Sequence, residues 1–143
     1  MAQLQNLHAL PIILAAVLAW IFGALYYGIL GRKWAAAQGK TVEQFRVESA
    51  GKSTPARSAP LVLSFVAELI MASALSGIMF HIGIYTLRAG AFSGLMCWIG
   101  FVLTTIVVNY TFASRGLALT AIDAGHWLGV LVIIGSVLGW SGA

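Results

Sequence analysis

The stretch LPIILAAVLAWIFGALYYGIL, from Leu10 to Leu30, carries no charge and is followed at once by Gly31-Arg32-Lys33. Crossing a hydrocarbon core of about 30 Å takes about 20 helical residues, and this run meets that length. Three more runs do the same: Leu61 to Leu87, Phe92 to Phe112, and about Leu117 to Trp140. In lipid each must be helical, because a lone strand would leave its backbone polar groups unpaired. The expected fold is an all-α membrane protein: a four-transmembrane-helix bundle with a short amphipathic cytoplasmic segment between helices 1 and 2.

The composition agrees. Of 143 residues, 60% are hydrophobic and only 8% charged, with a mean hydropathy of +0.93. That leaves too little polar surface to coat a soluble monomer. A large catalytic domain, a disordered tail and a disulfide-stapled module are excluded as well. The single cysteine, Cys97, lies in an apolar run and reads as a buried structural thiol.

The net charge is +4, but the basic residues are not spread over a face that would fit nucleic acid. Arg32, Lys33, Lys40, Arg46, Lys52 and Arg57 all lie in the 31–60 loop, against Glu43 and Glu48 alone. By the positive-inside rule this loop is expected in the cytoplasm of a bacterial inner membrane, with both termini outside. Met1 to Leu10 has no Lys or Arg, and the run after it is long for a signal peptide, so the first span is expected to be retained.

Within the loop, Thr41-Val42-Glu43-Gln44 has the spacing of a capping box. A short interfacial helix should follow, with Val42 and Phe45 towards the membrane. The segment Gly51 to Pro60 reads as a flexible link. Arg88 to Ala91 and Ala113 to Gly116 read as tight turns, making spans two to four antiparallel neighbours.

Two sets of motifs resemble a known family. Gly23-Ala24-Leu25-Tyr26-Tyr27-Gly28 with Gly31-Arg32-Lys33-Trp34 is one; Asn109-Tyr110-x-Phe112 with Ile122-Asp123-Ala124-Gly125-His126-Trp127-Leu128 is the other. Together they resemble a bacterial membrane family, domain of unknown function 1761, over most of the chain. The resemblance implies a small multi-pass membrane protein and brings no activity with it.

Ionisable groups at membrane depth cost about 2.5–3.5 kcal/mol on insertion scales, so each calls for a partner or a role. At about 1.5 Å per residue, Glu68 lies about 10 Å in from Leu61, Asp123 about 9 Å and His126 about 13 Å in from Leu117. Asn109, Tyr26 and Tyr27 fall at about 5–6 Å from the inner ends of their spans. All four helices thus send polar groups to one layer: Glu68, Asn109, Asp123, His126, Tyr26 and Tyr27. His81 sits near the other face, about 140° round the helix from Glu68. Gly125-x-x-x-Gly129 supplies a close-packing stripe on the fourth span.

Two readings of this layer stay open. In one, Asp123 and His126 share a proton with Glu68 as relay, giving a proton- or cation-linked transporter or channel. In the other, the layer is a structural knot in a non-catalytic accessory or assembly subunit. Three ligands could hold one divalent ion, but the expectation is no metal. Haem is not expected, since His81 and His126 differ in depth by about 17 Å and His8 could at best pair with His81. No enzyme signature of the phosphate-loop, nucleophile-elbow or zincin type is present, so no enzyme and no cofactor are expected. Trp34, Trp140 and the tyrosine pair read as interface anchors, the tyrosines alternatively as lining the layer. The expected partners are the bilayer, a second copy of the chain (sixteen glycines allow close helix approach) and a small ion or proton.

Overall fold

The computed structural model describes residues 9–142. Among them are α1 (Ala9–Ala37), α2 (Val42–Ala50), α3 (Thr54–Ile82), α4 (Leu87–Cys97), α5 (Thr104–Phe112) and α6 (Leu117–Ser141). A π-helical turn, Trp98–Leu103, joins α4 to α5 in one continuous rod. Four helices are long and apolar enough to span: α1, α3, the α4–α5 rod and α6. The chain is an all-α membrane bundle, and large apolar side chains such as Ile29, Phe101, Phe112 and Leu117 point outward from it.

Several boundaries differ from the sequence reading. α1 does not stop at Leu30, because Arg, Lys and Ala are good helix formers once the apolar run ends. It continues to Ala37 and is closed by Gly39, whose φ of +70° lets the Gly39 and Lys40 amides turn back on Ala36 O and Ala35 O. The stretch expected to be a flexible link is helical from Thr54, with Pro55 in the first turn, where a missing N–H costs nothing. The second turn also moves. Gly83, at φ +68°, ends α3, and the Thr86 side chain caps α4 by accepting from Ala89 N. Arg88 is therefore helical, because a glycine and a cap outweigh the unbroken apolar run from Leu61 to Leu87.

The capping box is present. Thr41 Oγ1 accepts from Gln44 N at 3.2 Å, and Gln44 Oε1 accepts from Thr41 N at 2.7 Å. The helix it starts does not simply lay Phe45 on lipid. Phe45 packs on Trp34 of α1, with ring centroids 5.1 Å apart, and Lys40 stands 5.0 Å over its ring.

α6 is the centre of the bundle, in contact with α1, α3 and the α4–α5 rod. Its tightest contact is made by Gly135 and Gly139 against Gly90 and Gly94 of α4. A methyl group on any of these four would overlap a backbone carbonyl opposite: Gly90 O, Thr86 O, Gly135 O or Leu131 O. This is small-residue packing of helix backbone on helix backbone. Gly125 and Gly129, expected in that role, do something else: they make room for Tyr26 Oη and the Phe22 ring of α1.

The two halves of the bundle differ in kind. In one, Ala15 and Ala19 of α1, Leu75 and Met79 of α3, and Ile134 and Leu138 of α6 form an apolar core. The other, on the side of the basic loop, holds the polar groups.

Candidate functional site

Asp123 lies in the second turn of α6 and is 8% exposed. Its Oδ1 accepts from Tyr27 Oη at 2.8 Å and from Trp34 Nε1 at 3.0 Å. Its Oδ2 accepts from Tyr110 Oη at 2.7 Å. Tyr27 and Trp34 are seven residues apart, two turns along α1, and so share a face. Three neutral donors from two other spans thus supply the bonds that a carboxylate would otherwise take from water. Beside them Tyr26 Oη donates to Ile122 O at 2.9 Å, and Trp98 Nε1, at the start of the π-turn, donates to Ala124 O at 2.8 Å.

His126, three residues on, is not bonded to Asp123. Its imidazole is 6% exposed and boxed by aromatic rings. Tyr27 lies 4.8 Å away, Trp127 4.9 Å, Tyr26 5.7 Å and Phe22, stacked, 6.3 Å. Its Nδ1 is buried without a hydrogen-bond partner among the described residues. Its Nε2 edge stands against Gly23: a Cβ there would come within 2.8 Å of it. Only a residue without a side chain lets the ring sit here.

Glu68 projects from α3 on the stripe it shares with Ala72, Leu75 and Met79, and is 1% exposed. Its Oε2 is buried with no partner among the described residues. It lines a cavity of about 460 Å³ together with Tyr27, Ser64 and His126. Trp20, which also lines it, donates to Ser64 Oγ and to Leu61 O, both at 3.1 Å, and so ties α1 to α3 at one edge. Ala24 and Leu61 are exposed and stand at the mouth.

The expected single layer is therefore two adjoining sites. One is a saturated clasp around Asp123; the other is the Glu68–His126 cavity. Tyr27 belongs to both, with its hydroxyl on Asp123 and its ring against His126. Asp123 and His126 are not hydrogen-bonded to each other: both carboxylate oxygens accept from the tyrosines and Trp34 instead. Asn109 drops out: it faces outward, and its neighbour Tyr110 turns inward in its place. Trp34 is a carboxylate donor before it is an interface anchor. His81 is exposed in the last turn of α3, its Nδ1 2.7 Å from Gly77 O, at the opposite end of the bundle from His126. His8 lies outside the described residues. Cys97 is half-buried against the core.

Among the described residues, no three His, Cys, Asp or Glu side chains converge as metal ligands would. Asp123 and Glu68 address different surroundings, so the three-ligand arrangement conceivable on sequence does not assemble.

The side chains quoted above as family motifs meet in space at this point: Tyr26, Tyr27 and Trp34 from α1, Tyr110 from α5, Asp123 and His126 from α6. A family model described as "Protein of unknown function (DUF1761)" matches residues 10–139. The chain belongs to the DUF1761 family. The match covers all four spans, so the clasp and the cavity both lie inside the DUF1761 domain. No curated protein matches the chain, and no solved structure does.

Proposed function

We propose that this DUF1761 protein is a proton- or cation-linked transporter or channel whose exchanging groups are Glu68 and His126. The observation that carries this reading is the cavity they share. An acid and an imidazole, each more than nine-tenths buried and each with a polar atom that has no partner among the described residues, line one space that opens beside α1 and α3. Unpaired polar groups at membrane depth are expensive, and their usual use is to hold an ion or a proton. The rings of Tyr26 and Tyr27 from α1 and of Trp127 from α6 face His126, and among the described residues no Lys or Arg side chain lines the cavity.

The same reading sets the chain in a bacterial inner membrane. Its six loop cations face the cytoplasm, which puts both termini outside. Because the cavity is confined to one half of the bundle, a complete path across the bilayer calls for a second copy of the chain.

A second reading, a non-catalytic accessory or assembly subunit, draws on the Asp123 clasp, which is saturated and needs no ligand. One experiment separates the two. The pure protein is reconstituted with a pH-sensitive dye inside the vesicles, and a proton gradient is imposed. Transport predicts dye response in wild type and loss of it in Glu68→Gln. Silence in the wild type at every imposed gradient supports the accessory reading.

A further inference from the structure

The cavity's lining says more about its occupant than that it is charged. A volume of about 460 Å³ far exceeds what a proton or a bare metal ion requires, and falls in the range of sites for small organic molecules. Its walls are mostly apolar and aromatic, from Trp20, Ala24, Tyr27 and Leu61, with the Glu68 carboxylate, the His126 imidazole and the Ser64 hydroxyl as the polar groups. A dehydrated alkali ion would need several oxygen ligands, and Glu68 with Ser64 offers too few. An anion would meet the Glu68 carboxylate with no Lys or Arg among the described lining residues to offset it, leaving His126 as the one basic group there. What fits an apolar aromatic box with a single buried acid is a cation with an apolar body: the ring faces attract its charge and the carboxylate balances it.

We infer that the Glu68–His126 cavity binds a monovalent organic ammonium, entering beside Ala24 and Leu61 between α1 and α3. This rests on the proposed exchange at Glu68 and names its cargo: ammonium and proton compete for one carboxylate, so loading one releases the other. No covalent bond forms or breaks. The ammonium function could come from a soluble amine or from an ethanolamine lipid headgroup, and both present the same chemistry to Glu68.

The test is equilibrium binding of benzyltrimethylammonium to the full chain in nanodiscs, read by calorimetry. Benzyl alcohol serves as an uncharged comparison with the same ring. Saturable binding of the ammonium, weakened about 30-fold or more in Glu68→Gln, is the expected result. Equal binding of both compounds to wild type, or no saturable binding of the ammonium, overturns the inference, and this comparison holds even if Glu68→Gln fails to fold. Discs of phosphatidylcholine are compared with discs containing phosphatidylethanolamine. Weaker apparent binding in the latter assigns the native amine to the headgroup; unchanged binding assigns it to a soluble amine. The proton reading fails separately: a silent pH dye with intact ammonium binding removes proton exchange, while a Glu68-dependent dye response without ammonium binding removes only the cargo.

Discussion

The Tyr27 hydroxyl donates to Asp123 Oδ1 at 2.8 Å across 96 positions of sequence, tying the first membrane-spanning helix to the last. Trp34 and Tyr110 complete the shell, so a single carboxylate gathers donors from α1 and α5 onto α6. The clasp braces the wall against which His126 rests, and through that wall it shapes the neighbouring cavity.

Removing the carboxylate should therefore cost stability before it costs chemistry. Asp123→Ala leaves one indole N–H and two hydroxyls without their acceptor and is expected to destabilise the bundle by about 3 kcal/mol. Asp123→Asn keeps one acceptor oxygen for Tyr27 and Trp34 and is expected to cost about 1 kcal/mol. Unfolding in mixed detergent micelles measures both.

The donors should be separable in a double-mutant cycle. Tyr27→Phe and Tyr110→Phe each remove one bond to Asp123 and should each cost about 1 kcal/mol, in keeping with hydrogen bonds between membrane helices. Combined with Asp123→Ala, either change should add almost nothing, since its partner is already gone.

Glycine substitutions should sort by what they face. Gly94→Ala and Gly135→Ala drive a methyl into the backbone of the opposing helix and should destabilise by about 1–3 kcal/mol. Gly28→Ala and Gly77→Ala meet nothing within 4 Å and lie inside helices, so they should be neutral or stabilise by up to about 1 kcal/mol. Thermal melting of the four variants tests the contrast.

Much of this architecture was legible in the sequence, for reasons that can be traced to particular residues. Span number follows from run length, and the Thr41–Gln44 box follows from a spacing that has one geometric solution. Depth along a helix is arithmetic, which brought Tyr27, Glu68, Asp123 and His126 to one level. Facing between helices is not arithmetic. Asn109 and Tyr110 are adjacent and differ by about 100° round the helix, so a small error in the rotation of the rod exchanges one for the other. The π-turn at Trp98–Leu103 adds to that rotation and leaves no mark in the hydropathy. Trp34 was legible only as an aromatic beside two cations, because its role depends on α1 continuing past Leu30. The pairing of Gly90 and Gly94 with Gly135 and Gly139 could have been read from the matching four-residue spacing on both helices.

Gly23 offers a test of the imidazole's position. Gly23→Ala brings a methyl to within 2.8 Å of where His126 Nε2 stands, so the ring must shift. The variant should fold with a stability loss of about 1–3 kcal/mol and show altered nitrogen resonances for His126, while the Asp123 donors stay in place. Unchanged His126 resonances would mean that the ring is not held against α1.

Glu68 should exchange a proton while the protein stays folded. Infrared difference spectra of the pure protein, recorded between about pH 5 and pH 9, follow the carboxyl stretch directly. A protonated-carboxyl band that comes and goes reversibly with pH in wild type, and is missing in Glu68→Gln but kept in Asp123→Asn, is the predicted result. A carboxyl signal that stays constant over that whole range, or that disappears in Asp123→Asn and survives in Glu68→Gln, would contradict it.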